Sequence, residues 1–501
     1  MTAKLYKLLK IALLLALVVV ATVVGVRTWD IMRGQPLSVW HKYVPADLHA
    51  AEIAKLDWAG YLAAEERLFQ DVRRNVVERI APEDRIPANR YYAESPIYPG
   101  RFKTDWNRSY LMEPDGPPVG AVVLLHGLTD APYSLRHVAR LYRSRGFVAI
   151  GIRLPGHGTV PAGLTSAEWE DWVEATRLAV REATRRAGPS RPLHVVGFSN
   201  GGALALKYAL DALGDPQLAK PERVILVSPM IGITAFARFA GVFGWPAVFP
   251  AFAQAAWLSV MTEFNPFKYN SFPINGARQS SLLTRVLQDQ ISTYAQENRL
   301  AGLPPVLTFQ SVVDFTVSTR AVIDALYAQL PANGSELVLF DINRGAKLTP
   351  LLRTSFENAL ERLAPAPPLK YRLTIVANAA PRVRQTVARI TEPGATAEAV
   401  RPLALEYPPE LYSLSHVAIP FPMNDALYGM RPDGETDEDF GVSLGTLSAR
   451  GEVGLLIVTL DSLTRASSNP FFPYMLERIA ADIPAAPAPK AAAPAPSKAG
   501  S

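Results

Sequence analysis

The sequence predicts an α/β fold: a mostly parallel central sheet with helices on both faces. Three observations predict it. Short runs rich in apolar residues recur at 121–125 (AVVLL), 147–152 (FVAIGI) and 193–198 (LHVVGF), the pattern of strands buried on both faces of a parallel sheet. Each run ends in a turn rich in glycine or histidine, at 126–130, 153–158 and 197–202. After each turn comes a segment with helical periodicity, so strand and helix alternate as a parallel sheet requires.

Taken in order, the chain begins with Lys4, Lys7 and Lys10 ahead of a charge-free apolar run at 11–26, closed by Arg27. As a helix this run is about 24 Å long at ~1.5 Å per residue, which just spans a bilayer if flanking leucines join it. Residues 1–28 are expected to be an uncleaved membrane anchor, with the lysines cytoplasmic and the rest of the chain on the non-cytoplasmic side. A cleaved signal peptide is the alternative. Residues 29–115 read as a juxtamembrane helical segment, clearest at 48–80, leading to the sheet edge. The main domain is expected at 116–483, with a cap at about 229–300 and an insertion at about 343–405. The final stretch, 484–501, is almost wholly Ala, Pro, Lys and Ser and cannot bury enough apolar surface to order itself.

The segment GFSNGG at 197–202 is the informative motif. A G-x-S-x-G pentapeptide alone is common, but here it stands where a strand turns sharply into a helix. Glycines then permit the strained backbone that lifts the Ser199 hydroxyl clear of the sheet. A serine hydroxyl needs a neutral imidazole to take its proton and a carboxylate to orient that imidazole. Six of the seven histidines precede Ser199. In this architecture the order is serine, acid, histidine, so His416 is named by elimination. For the acid, Asp314 follows the strand-like run 305–309 directly, and Asp341 after ELVLF is the competitor. Backbone N–H groups of Leu128 and Asn200 are placed to hold an oxyanion. His126 reads as a turn former, His194 as a core residue, and His157 either as a loop support or as a substrate contact.

In order, LLHGLTDAPYS, RLPGHG, VVGFSNGG and SVVDFTV resemble the monoacylglycerol lipase and carboxylesterase branch of the α/β-hydrolases, over roughly 121–340. The resemblance implies a carboxylic-ester hydrolase working through an acyl-enzyme, with the family's nucleophile at Ser199, acid at Asp314, base at His416 and oxyanion donors at Leu128 and Asn200. It implies no cofactor and no metal. Acid and base are about a hundred residues apart, against a few tens in the family. An insertion of one extra strand and a helix is expected to account for this.

Between 230 and 261 the chain carries one charge, Arg238, and many aromatics, among them Phe236, Phe239, Phe243 and Trp245. These read as an apolar lid lining an acyl pocket and facing a membrane interface. The expected partner is therefore a small-molecule or lipid-like ester, such as a monoacylglycerol or lysolipid, met at the membrane. A net charge of +5 without basic runs argues against nucleic acid, and the absence of cysteine excludes thiolate chemistry. Thioester or peptide cleavage and acyl transfer use the same residues, and a non-catalytic anchored scaffold is the alternative from another class. Oligomeric state has no signature in the sequence.

Overall fold

The computed structural model describes residues 36–232, 250–346, 359–432, 438–446 and 463–484, together with parts of 6–25. Half of the expected anchor at 1–28 falls outside these residues. Among the described residues no helix is long and apolar enough to cross a membrane. The tail from 485 onward also lies outside them.

The predicted strands form. From the N-terminal side they are β1 (Tyr110–Met112), β2 (Gly120–Leu125), β3 (Phe147–Ile152), β4 (Leu193–Phe198) and β5 (Arg223–Val227). A small hairpin, β6 (Trp257–Ser259) and β7 (Phe272–Pro273), stands apart. The main sheet continues through β8 (Val306–Ser311), β9 (Glu336–Phe340), β10 (Arg372–Asn378), β11 (Gln385–Thr391) and β12 (Ala399–Glu406). The sheet order is β1-β3-β2-β4-β5-β8-β9-β10-β11-β12. From β3 to β10 all pairings are parallel, while β1 and β11–β12 run antiparallel at the two edges.

Burial explains why β2 to β5 and β9 carry no polar alternation: every residue in them is buried, and in β8 even the alternating Thr308 and Gln310 are buried. Side chains alternate between two cores. Val123, Leu125, Val195 and Leu226 pack with one helical layer, made of α1 (Trp58–Asn75), α3 (Trp169–Ala187), α4 (Asn200–Gly214) and α5 (Ile274–Gln296). Val122, Leu124, Val196 and Val227 face the other, made of α2 (Arg136–Ser144) and α6 (Phe472–Ala481). Because strand side chains alternate with period two, residues adjacent in sequence serve opposite layers.

Two expectations are refined. The helical segment expected at 48–80 packs into the core: Trp58, Tyr61, Leu68 and Val72 of α1 are buried. Tyr61 Oη donates to Arg153 O at 2.6 Å, and Asp47 takes a two-pronged ion pair from Arg153 at 2.7 and 3.0 Å. Second, the insertion at 343–405 adds three strands, β10 to β12, where one was expected, with a short helix at Ala359–Leu363. The run KYRLTIVA at 370–377, most of which forms β10, is the part with a plain strand pattern. Most side chains of β12 are exposed and it contains Pro402, while polar Gln385, Thr386, Arg389 and Thr391 interrupt the apolar positions of β11, so neither carries a clean strand signal.

Candidate active site

The site is built at the carboxyl ends of the central strands, where an open parallel sheet leaves a crevice. Ser199 follows β4 directly and caps α4, with φ 55° and ψ −116°. A left-handed φ on a non-glycine residue is costly, and the surroundings enforce it. A Cβ at Gly197 would lie 2.1 Å from Gly201 O, and one at Gly201 would lie 2.0 Å from Leu125 O. Only glycine on both sides lets β4 turn into α4 this tightly. Ser199 N donates to Val227 O at 3.0 Å and Met230 N to Ser199 O at 2.9 Å, tying the turn to the end of β5.

Asp314 stands three residues beyond β8. Its Oδ1 accepts from Thr316 N at 2.8 Å and Val317 N at 3.0 Å. Its Oδ2 accepts from Gln310 Nε2 at 3.1 Å and faces His416 Nδ1 at 2.8 Å. Burial favours the neutral acid, but the His416 charge and these bonds outweigh it and hold the carboxyl below its usual range. His416 begins a short 3₁₀ turn and is buried, its ring 5.3 Å from that of Phe198. A carboxylate on Nδ1 leaves Nε2 as the nitrogen able to accept a proton.

Ser199 and His416 line one cavity of about 620 Å³, together with Gly127 and Leu128. As the first residue of α4, Asn200 has an N–H without an intrahelical acceptor. The loop carrying Leu128 is fixed from below: Asp130 accepts from Gly127 N at 3.3 Å and from Ser134 Oγ at 2.7 Å. His126 bonds Gly127 O through Nδ1 at 2.9 Å and accepts from Leu154 N at 3.0 Å, as a turn former should. His194 is buried and bonded to Tyr142 Oη at 2.8 Å. Asp341 is buried beside Arg344, at 3.4 Å, and makes no contact with His416.

His157 as a pocket residue is corrected. It is fully buried and absent from the cavity wall, its Nδ1 facing Pro155 O at 3.0 Å and its ring packed near His126 and Trp172. The PGHG loop folds inward because its glycines at 156 and 158 take positive φ, which turns the imidazole toward α3. Four lid residues, Phe236, Phe239, Phe243 and Trp245, lie outside the described residues.

The apolar wall of the cavity comes instead from Leu258, Met261, Phe264 and Phe272, which belong to or flank the β6–β7 hairpin. Leu258 and Met261 belong to the apolar segment expected to line an acyl pocket, whereas Phe264 and Phe272 lie just past it and were not singled out. Lys268 and Arg465 also line the cavity and were missed too; lone basic residues in polar stretches carry no local signal.

Residues 116–341 match the family model described as serine aminopeptidase, S33. Over 92 residues the chain is 35% identical to a thermostable monoacylglycerol lipase from Bacillus sp. (strain H-257), covering 18% of this chain and 35% of that protein. The match thus spans about a third of that relative's length. Among solved structures, the monoacylglycerol lipase of Paleococcus ferrophilus is 16% identical, covering 51% of this chain and 97% of its own, with a TM-score of 0.35. A soluble variant of monoglyceride lipase from Saccharomyces cerevisiae is 13% identical, covering 46% and 81%, with a TM-score of 0.36. The sheet order and the strand–Ser199–helix turn are those of the α/β-hydrolase fold; the family match is confined to 116–341, and the sequence likeness to one monoacylglycerol lipase over 92 residues.

Proposed function

We propose that the chain is a serine hydrolase that cleaves carboxylic esters of lipid-like substrates, with Ser199 as nucleophile, His416 as base and Asp314 as the group that orients His416. Ser199 Oγ attacks the ester carbonyl while its proton passes to His416 Nε2. The N–H groups of Leu128 and Asn200 hold the oxyanion of the tetrahedral intermediate. His416 then gives the proton to the departing alkoxide, leaving an acyl-enzyme that water hydrolyses by the same route. The observation carrying this reading is the 2.8 Å contact of His416 Nδ1 with Asp314 Oδ2 at the rim of the cavity that Ser199 enters.

The apolar wall of Leu258, Met261, Phe264 and Phe272 supports an acyl chain as the group bound beside Ser199. Monoacylglycerol is the substrate named by the sequence relative, and it or a lysolipid is the substrate class we assign. The apolar run at 11–26 supports membrane anchoring with the hydrolase domain on the non-cytoplasmic side. Apolar residues at 236–245 would then form a lid at the lipid interface.

The test is labelling by a fluorophosphonate and turnover of p-nitrophenyl esters of increasing chain length, in the wild type, Ser199→Ala and His416→Ala. Loss of both in both variants is expected. Unchanged labelling of Ser199→Ala refutes the proposal and favours a non-catalytic scaffold. One observation favours a second reading: the matching family carries an aminopeptidase name. Aminoacyl p-nitroanilides turned over faster than the esters would establish that alternative.

A further inference from the structure

The cavity at Ser199 carries charge that a neutral ester does not call for. Among the described residues lining it are two cations, Lys268 and Arg465, and no carboxylate. Lys268 belongs to the loop whose next residue, Tyr269, donates its N–H to Thr129 O at 2.7 Å, so it stands beside the Leu128 turn. The carboxylate that acts on it is Asp130, which does not line the cavity and is already engaged by Ser134 and Gly127. Burial lowers the Lys268 pKa, Asp130 raises it, and the charge of Arg465 lowers it again, with the net shift downward. A half-buried ammonium so placed gains from an anion in the cavity.

Arg465 fixes where that anion lies. Its Nη2 donates to Thr316 Oγ1 at 2.7 Å, and Thr316 N donates to Asp314 Oδ1 at 2.8 Å. Its carbonyl accepts from Ser415 Oγ at 2.7 Å, one residue before His416. Arg465 is thus bound to both flanks of the Asp314–His416 pair, the side on which a leaving alcohol takes its proton. The apolar wall at Leu258 and Phe272 suits the acyl half.

We propose that Lys268 and Arg465 bind an anionic group, phosphate or carboxylate, on the alcohol half of the ester, so that the preferred substrates are acyl esters of anionic alcohols. This inference rests on the ester-hydrolase reading and narrows its substrate. Fixed donors of this kind make charge-assisted bonds to an oxyanion group, about twice as strong as neutral ones.

The experiment compares kcat/KM of the full chain on three decanoyl esters with one acyl chain: 1-decanoylglycerol, 1-decanoylglycerol 3-phosphate and the decanoyl ester of glycolate. The wild type is expected to favour an anionic ester over the neutral one by about tenfold or more. That preference should fall about tenfold in Lys268→Met and in Arg465→Gln, survive in Lys268→Arg, and shrink with added salt. Preference for the phosphate or for the glycolate ester tells which anion the site takes. A neutral ester turned over as well as both anionic ones, or a preference untouched by Lys268→Met and Arg465→Gln, overturns the inference while leaving ester hydrolysis standing. No Ser199-dependent turnover of any of the three overturns both.

Discussion

His416 Nδ1 sits 2.8 Å from Asp314 Oδ2 although 102 residues separate them. Between them the chain builds four strands of the sheet, β9 to β12, and returns, so the pair depends on the whole sheet edge rather than on a local motif. Asp314→Asn tests what the carboxylate does. An amide can present its N–H to Nδ1, which leaves the proton on Nε2 and removes the base from Ser199. We expect kcat on a p-nitrophenyl ester to fall about 10⁴-fold with little change in Tm. A loss below tenfold would show that Asp314 does not orient the imidazole.

What holds the His416 segment against the core is a second buried pair. Arg136 Nη2 lies 2.9 Å from Asp425 Oδ2, with both side chains fully buried. Asp425 also accepts from Tyr133 Oη at 2.9 Å and Tyr428 N at 2.8 Å, and faces His137 Nε2 at 2.9 Å. Tyr133 and Arg136 flank the start of α2, directly after the loop that carries Leu128. The network therefore couples the His416 segment to the oxyanion side. Asp425→Ala strands a buried guanidinium and should cost about 3–5 kcal/mol, seen as a lower urea midpoint. An unchanged midpoint would refute this coupling.

The β4–α4 turn tolerates no side chain at Gly197 or Gly201. Since a Cβ at Gly201 would meet Leu125 O at 2.0 Å, Gly201→Ala must push the start of α4 away from the end of β2, within one turn of the serine. The expected outcome is a loss of about 3 kcal/mol or more, with fluorophosphonate labelling slowed more than Gly214→Ala slows it. At Gly214 the nearest atom is the flexible end of Arg299, at 2.9 Å. Equal labelling rates in the two variants would exclude a special role for the turn.

Sequence reading reached the core of this molecule and not its rim, for physical reasons. Strands β2, β3 and β4 announce themselves because both faces are buried and every position must be apolar or satisfied. Ser199 was legible because the turn demands glycine at 197 and 201. His416 was legible only by elimination, its neighbours being an irregular loop. The histidine count could not tell which side of a loop faces a cavity, so His157 was open between two roles that burial decides. Lys268 and Arg465 come from segments 197 residues apart, and nothing local in either shows that they meet at one cavity.

Acid should destabilise the fold. Burial, foremost, depresses the pKa of His137 and His157 to about 4 and of His194 to about 3, against 6.5 for the free side chain. Above pH 6.5 these imidazoles are neutral whether the chain is folded or not, so they leave stability unchanged. Below 6.5 the unfolded chain takes up protons that the folded one refuses, and stability is lost as pH falls through the folded values near 4. Asp425 acts in the same direction at still lower pH, since Arg136 and His137 hold its carboxyl far below the usual range against the opposing effect of burial. Each unit of difference is worth about 1.4 kcal/mol, so three such histidines are comparable to the whole stability of a domain. Tm should be flat from pH 8 to 7 and drop steeply between 6 and 4. A Tm that stays level down to pH 4.5 would mean that these histidines are protonated within the fold.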